Sequence, residues 1–401
     1  MNKAVKDEKK TKKTIIICDF IFEGGSEQVV DCLLQNYPEA DLLTTIYDPS
    51  DIKKYPNIYL AYTQNRLKSS ILQNILPKVL NSKKLPLTYY HFYWLYFLVA
   101  SFQKPSEFYD KIIYSCCAHS KLIQAKSSNK MQPIVYYHTP TRYLYDGLMD
   151  SEDMKLDQIT KFIFQVINYF IKPLDVLGVN RIKKLNAKVF SNSTYTQQNI
   201  LKFYDQDSSV LFPPVTLKKN QDIKRDNRIL ASSFFLYHGR ISFQKRVDIA
   251  IEACLMAKKP LVISGDIQDQ SIKNRLTKII EKYTSIDPTL EGLITFRGRT
   301  TDLELQKLFA NCSALLFPPR EDFGIVPIEA ITNGIPVLAF NQGGALDYIK
   351  EGVNGYFFTE QTAQSLANLI LWVGLGSLDS SKIEKSAIDC SPFSFLEQLN
   401  K

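Results

Sequence analysis

Short continuous apolar runs alternate with apolar positions at helical spacing through most of this 401-residue chain. Residues 14–20, 112–115, 134–137 and 189–193 read as buried strands in the first half. Residues 234–238, 261–265, 294–298, 314–317 and 335–340 read the same way in the second. Helical patterns follow several of them: Val29, Val30, Cys32 and Leu33 after the first, residues 194–203 after 189–193, and Val247, Ile249, Ala250, Ile251 and Ala253 after 234–238. Strands that lack polar alternation are buried on both faces, so strands of this kind separated by helices predict an α/β architecture with parallel sheets. The run 210–215, with Pro213 and Pro214, looks like a linker between two domains, the second beginning near Thr216.

Two other apolar stretches have a different character. Residues 85–103 hold no charge and are crowded with aromatics: Tyr89, Tyr90, Phe92, Tyr93, Trp94, Tyr96, Phe97 and Phe102. The length approaches a membrane span, but Pro86, Thr88, His91 and the polar-tipped rings argue against one. Two readings stay open, a helix packed in the first domain and a surface facing lipid, because Tyr and Trp favour the membrane–water boundary. Leu156, Ile159, Phe162, Ile163, Val166, Ile167 and Phe170 form a second stripe, read as core or interdomain packing.

The densest candidate chemistry lies between residues 318 and 347. A strand stopped by Pro318 and Pro319 runs through Arg320-Glu321-Asp322-Phe323-Gly324 into a helix. Pro327 is expected at the first helical position, where its fixed φ suits the site. Glu329 is expected in the first turn and Gly334 at the helix end. The backbone N–H groups of Gly324, Ile325 and Val326 then sit at a helix N-terminus that favours anions. Carboxylates beside an anion site suit a ligand that carries hydroxyls as well as phosphate, as a nucleotide sugar does. Taken singly, Glu321 reads as readily as a solvated acid, and Glu329 as a stabiliser of the helix start. After the 335–340 strand, Gly343-Gly344-Ala345-Leu346-Asp347 is expected to open another helix.

Other candidates lie at strand ends. Arg240 and Lys245 bracket a strand-to-helix loop, where two cations can neutralise a diphosphate and stabilise it as a leaving group. Alone, each is also an ordinary surface cation. His138 stands where ligands bind in open α/β sheets, with a purely structural role as the alternative; His91, His119 and His238 lack its context. Gly24-Gly25 lets backbone approach a ligand closely, or makes a plain tight turn. Gly265 ends the 261–265 strand on the same side, and Arg299 and Thr301 are weaker candidates for a base or ribose contact.

Glu321 and Glu329 have seven residues between them, in Phe-Pro-Pro-Arg-Glu-Asp-Phe-Gly-Ile-Val-Pro-Ile-Glu-Ala. This stretch resembles the signature of glycosyltransferase family 4, and in particular the mannosyltransferase-like branch that builds bacterial surface polysaccharides. The resemblance implies the GT-B fold, two facing Rossmann-like domains with parallel sheets and an interdomain cleft. Residues 14–213 would hold the acceptor, 214–385 the nucleotide sugar, and a helix within 386–401 would return toward the first domain. It also implies roles: Arg240 and Lys245 on the donor diphosphate, Glu329 on the ribose diol, Glu321 with the amides of Gly324 and Ile325 on the sugar hydroxyls. His138 would lie near the sugar and the reaction centre, and Gly24 and Gly25 over the cleft near phosphates and acceptor. Val326, Gly265 and Arg299 complete the expected donor side, and Arg142 and Tyr143 the acceptor side. A retaining reaction is implied, with GDP-mannose as the expected donor, a UDP-hexose as the alternative, and a saccharide or lipid-linked saccharide as acceptor.

Composition narrows the setting. Hydrophobic content of 45% and charge of 22% are ordinary for a globular protein. The net charge is +8, and residues 1–13 supply six lysines against Asp7 and Glu8. Such a segment is a solvated tail, or one drawn to anionic lipid by roughly 1 kcal/mol per charge. The seven cysteines are scattered without any Cys-x-x-Cys, which fits a reducing cytosol better than a disulfide framework or a zinc site. With no apolar segment ahead of the first strand, no signal peptide is expected; the expected location is cytoplasmic, with peripheral contact at the inner face of the membrane. Asp205-Gln206-Asp207 matches the metal pattern of another glycosyltransferase fold but reads as turn residues before the linker. No metal, cofactor or nucleic-acid partner is expected. A nicotinamide-dependent oxidoreductase fails for want of Gly-x-Gly-x-x-Gly after any predicted strand. A non-catalytic sugar-nucleotide-binding protein remains the rival, and it would have lost Glu321, Lys245 or His138, all of which are present.

Overall fold

The computed structural model describes residues 13–79, 85–128, 131–145, 158–216, 234–267, 270–373 and 378–401. The basic leader before Lys13 and the polar stretch 218–228 lie outside these residues. The first domain runs β1 (Thr14–Cys18), β2 (Phe20–Ile21), α1 (Gly25–Asn36), β3 (Asp41–Leu43), β4 (Ile46–Tyr47), α2 (Pro56–Thr63), β5 (Leu67–Lys68), α3 (Leu72–Val79), α4 (Leu85–Phe102), β6 (Phe108–Tyr109), β7 (Lys111–Cys116), β8 (Lys126–Ser127), β9 (Ile134–Tyr137), α5 (Gln158–Lys184), β10 (Lys188–Ser191), α6 (Thr194–Tyr204) and β11 (Ser209–Val210). The second runs β12 (Phe235–His238), α7 (Val247–Met256), β13 (Leu261–Ser264), α8 (Gln270–Ile286), β14 (Ile294–Gly298), α9 (Asp302–Asn311), β15 (Leu315–Phe317), α10 (Ile325–Thr332), β16 (Val337–Phe340), β17 (Gly355–Phe358), α11 (Ala363–Trp372) and α12 (Ser380–Lys385), followed by α13 (Pro392–Asn400).

Each domain is built on one parallel sheet, ordered β11-β10-β9-β7-β1-β3-β5 in the first and β14-β13-β12-β15-β16-β17 in the second. The fold is therefore α/β with two Rossmann-like domains. Strand β1 is buried along its whole length because helices cover both faces. Successive side chains point to opposite faces, so Ile15 and Ile17 pack with Tyr93, Phe97 and Val179 from α4 and α5. Ile16 and Cys18 pack with Val29, Leu33 and Ile58 from α1 and α2. The same division holds in β12, where Phe235 and Tyr237 face α7 and α11 while Leu236 faces α9 and α10.

The chain crosses between domains twice. On the outward pass Leu211 is buried in the first core, and Phe212 stacks on Phe323 of the second at 5.7 Å. On the return Cys390 is buried in the second core, while Phe395 and Leu399 of α13 are buried in the first. The passes are joined where the Val215 N–H donates to the Cys390 carbonyl at 2.8 Å.

Several local expectations need correction. Pro327 is the third residue of α10 rather than the first, and Glu329 is the fifth. No N–H of the first helical turn has an acceptor within the helix, so proline is tolerated at this position too. Gly343–Asp347 forms a five-residue 3-10 turn instead of opening an α-helix. Of the two aromatic stretches, α4 does bury Tyr93, Tyr96, Phe97 and Ala100. Of the stripe on α5, Ile167 packs against the first core and Leu156 lies outside the described residues, but most of the rest is not core. Phe162, Ile163, Val166 and Phe170 are exposed, and the inward face of the helix is instead Ile171, Val179 and Ile182.

Helix α13 completes the first core, with Phe395 meeting the Tyr136 ring edge-on at 5.4 Å and only 1% exposed. Phe395→Ala is expected to destabilise that domain by about 3 kcal/mol, read as a lower urea midpoint. The exposed Phe393→Ala should leave the midpoint unchanged.

Candidate active site

In each sheet the chain reverses its direction of growth once, between β1 and β7 and between β12 and β15. Loops diverge at such a point and leave a crevice beyond the carboxyl ends of the strands. The two crevices face each other here and enclose a cleft of about 570 Å³. Asp19, Cys117 and His138 come from the first domain, Arg240, Lys245 and the 319–326 loop from the second.

The second-domain wall is set by backbone. Lys245 Nζ donates to Glu321 Oε1, joining the β12–α7 loop to the loop before α10. Burial lowers the Lys245 pKa; Glu321 opposes this, and Arg240 adds to it. The Tyr237 hydroxyl donates to the Lys245 carbonyl at 3.2 Å and fixes that turn. Behind Glu321 stands the Gly343-Gly344 turn, where the Gly344 N–H donates to the Glu321 carbonyl at 2.9 Å. Gly343 has φ of +83°, and a Cβ there would lie 2.4 Å from that carbonyl oxygen. Only glycine permits both, so this pair positions the Glu321 backbone.

Across the cleft, the loop after β2 meets the start of α10. A Cβ on Gly25 would lie 2.7 Å from Cδ1 of Ile325. The Gly24 N–H donates to the Tyr55 hydroxyl at 3.0 Å. Beneath this loop the Glu27 carboxylate accepts from the Phe22 N–H at 3.1 Å and the Ser26 hydroxyl at 2.8 Å, and burial raises its pKa.

The first-domain floor holds a buried polar cluster. Asp19 accepts from the N–H groups of Cys117, Ala118 and Ser120 at 2.5, 3.0 and 2.6 Å. Burial opposes its ionisation, yet His119 and these N–H groups hold its pKa below the usual carboxylate range. His119 contacts Thr45 Oγ1 at 2.7 Å, and burial pushes its pKa down to about 4. His138 contacts Ser115 Oγ through Nε2 at 2.7 Å, and burial again brings it to about 4. The His138 carbonyl accepts from Asn192 Nδ2 at 2.9 Å, so Ser115 holds the ring and Asn192 the backbone.

Two domain-to-domain contacts converge on Asp322. Arg142 Nη2 donates to its carboxylate, and the Ser193 hydroxyl donates to its carbonyl at 2.5 Å. Nearby, the Thr194 N–H donates to Asp347 Oδ2 at 2.8 Å. At the rim, Arg299 donates to both oxygens of Glu23, which Lys54 also contacts at 2.7 Å.

The cleft thus gathers Gly24, Gly25, His138, Arg142, Tyr143, Arg240, Lys245, Glu321, Gly324, Ile325 and Val326. Three other candidates lie off its wall. Arg299 spans the domains to Glu23, and Gly265 sits against the Gly239 carbonyl, where a Cβ would come within 1.8 Å. Glu329 is one turn deeper in α10 and 8% exposed, with its pKa raised to about 7 by burial and then by Asp302. Among the described residues its carboxyl has no hydrogen-bond partner. Asp19, Glu27 and Asp322 also line the cleft and are absent from the candidates read from sequence. An acid closing a buried strand is a readable signal for Asp19; the other two have none short of tertiary structure.

Residues 219–388 match the family model of group 1 glycosyl transferases. The chain is 24% identical over 295 residues to the human alpha-1,3/1,6-mannosyltransferase ALG2, covering 66% of each chain. It is 26% identical over 256 residues to the Saccharomyces cerevisiae ALG2, covering 55% of this chain and 48% of that one. The matches therefore span just under two thirds and about half of these relatives. Among solved structures, HepE of Anabaena bound to UDP and glucose aligns over 97% of this chain and 98% of its own, with a TM-score of 0.60 at 18% identity. Sucrose-phosphate synthase of Thermosynechococcus elongatus aligns over 96% and 94%, with a TM-score of 0.58 at 16% identity. The fold is GT-B. The match to the group 1 glycosyl transferase model falls within the second domain.

His119 and His138 bind protons near their ordinary 6.5 only when unfolded, and at about 4 when folded. The stability they contribute is full above pH 6.5 and lost as pH falls toward 4. Melting temperature should fall across that window, and their imidazole NMR resonances should titrate near 4. A His138 resonance moving near 6.5 would contradict the buried neutral ring.

Proposed function

We propose that the protein transfers a hexose from a nucleotide diphosphate donor to a saccharide or lipid-linked saccharide, with retention at the anomeric carbon. The observation that carries this reading is the Lys245–Glu321 pair beside the N-terminus of α10, with Arg240 on the same wall. Backbone N–H groups and two cations suit a diphosphate, and a carboxylate beside them suits sugar hydroxyls. Glu329, buried and without a hydrogen-bond partner for its carboxyl among the described residues, suits the ribose diol.

Departure of the nucleoside diphosphate leaves oxocarbenium-like charge on C1, and stabilising the leaving group is the main catalytic task. Arg240, Lys245 and the amides of Gly324 and Ile325 would carry it. The cleft carboxylates are each engaged: Asp19 by three N–H groups, Glu23 by Arg299 and Lys54, Glu27 by Phe22 and Ser26, Glu321 by Lys245, Asp322 by Arg142. This supports attack by the acceptor on the face the leaving group vacates, rather than through a carboxylate-bound intermediate. His138, kept neutral by burial, would accept or donate one hydrogen bond to the sugar.

GDP-mannose is the donor we favour. Likeness to two proteins named as mannosyltransferases supports it, as does resemblance in the 318–324 and 343–346 stretches. A UDP-hexose is the alternative, in keeping with the UDP held by HepE. We place the activity in cell-surface polysaccharide synthesis on the cytoplasmic side.

Purified protein offered GDP-mannose, UDP-glucose, UDP-GlcNAc and UDP-galactose is expected to release nucleoside diphosphate from GDP-mannose. Lys245→Ala should cut that release by about a hundredfold or more, the usual loss for one leaving-group stabiliser. Binding without release from any donor, with lipid extract supplied, would favour the non-catalytic binding protein.

A further inference from the structure

The inner face of α5 is anchored in the first domain, so this long apolar helix lies on the protein rather than through a bilayer. Ile171, Val179 and Ile182 are in the core, and Asp175 pairs with the fully buried Lys121 at 2.6 Å. The outer face has no such partners. Phe162, Ile163, Val166, Tyr169, Phe170 and Leu177 fall at helical spacing and are all exposed, Tyr169 at 77% and Phe170 at 67%. The segment Phe162–Lys184 is long and apolar enough to cross a membrane, yet only 22% of its most apolar window is buried. Helix α4 packs beside it, with the Tyr93 and Phe164 rings stacked at 6.1 Å, and its own outer face presents Trp94, Leu98 and Phe102.

We propose that this α4–α5 face docks onto an anionic lipid bilayer, lying in the interface with its apolar side chains among the headgroups. Charge decides between this occupant and a second copy of the chain. The only acid between residues 158 and 184 is Asp175, which is fully buried, whereas Lys172 and Lys184 on the same helix are exposed. Helix α4 carries no charge, and Lys104 follows its end. The margin of the patch is cationic and its centre is aromatic and aliphatic, the pattern of a helix lying in an anionic interface. Two such faces meeting would set lysine against lysine. The face also reaches the cleft, since Asn168 Nδ2 on α5 donates to the carbonyl of Tyr143 at 2.8 Å and Tyr143 lines the cavity. The surface stands on exposure and charge alone and does not depend on which donor the enzyme uses.

The test is co-sedimentation of the full chain with phosphatidylcholine vesicles, with and without phosphatidylglycerol. The wild-type protein is expected to bind the anionic vesicles, more weakly at high salt, and to bind phosphatidylcholine alone poorly. The triple substitution Phe162→Ser, Tyr169→Ser and Phe170→Ser should reduce anionic binding by about tenfold or more, with melting temperature and donor hydrolysis in lipid-free buffer unchanged. Failure of the wild-type protein to sediment with either vesicle would overturn the proposal, as would a triple variant that binds like wild type. Light scattering that shows a wild-type dimer, converted to monomer by the triple variant without any vesicle binding, would assign the face to a second copy instead.

Discussion

Asp322 is gripped by the opposite domain at two points, its carboxylate by Arg142 and its carbonyl by Ser193. It stands between Glu321, which meets Lys245, and the residues that lead into α10. One short loop therefore answers to both domains. Arg142 and Ser193 hold the loop from one side, and the Gly343-Gly344 turn supports it from behind. The ion pair lies in a partly buried setting where charge is weakly screened, so it is worth more than a surface pair of the same length.

That arrangement explains why the Arg142 loop is so heavily braced. Arg142 follows Thr141, and the Thr141 side chain joins Lys121, Asp175 and Tyr204 in a fully buried network. A lysine is taken out of water at high cost unless it is surrounded by acceptors, and Lys121 has the Ala118 carbonyl, Thr141, Tyr204 and Asp175. Burial lowers the Lys121 pKa, but Asp175 together with Tyr204, Cys116 and Tyr137 raises it well above the usual lysine value and keeps the ammonium charged. The network ties the start of the Arg142 turn to α5 and α6, so the guanidinium is presented from a rigid base.

Much of this was legible in the chain before any coordinates. Continuous apolar strands announced parallel sheets, and the stretch holding Glu321 and Gly324 announced a loop that lines the cleft, because local pattern and family signature coincide there. The pattern marks Asp19 only as an acid closing a buried strand, since its role comes from three N–H groups about a hundred residues away in sequence. Arg299 follows a strand end on the donor side, and the structure sets its guanidinium against Glu23 of the other domain, a contact that local pattern does not report. Helix α5 was misread because periodicity reports that an apolar face exists and says nothing about what covers it. Pro327 was displaced by two positions because every residue of a first helical turn lacks an acceptor, so proline marks the turn but not the position within it.

The return of α13 to the first domain has a consequence for synthesis. Phe395 and Leu399 belong to the same core as Val29, Tyr136 and Leu211, although the whole second domain separates them in the chain. As the protein emerges from the ribosome, the first domain must wait with that part of its interior open until the second has been made. Apolar surface stays available to chaperones, or to a bilayer, for as long as translation of the intervening residues takes. The last turns of the helix act as a stopper that closes the first domain only after its neighbour exists.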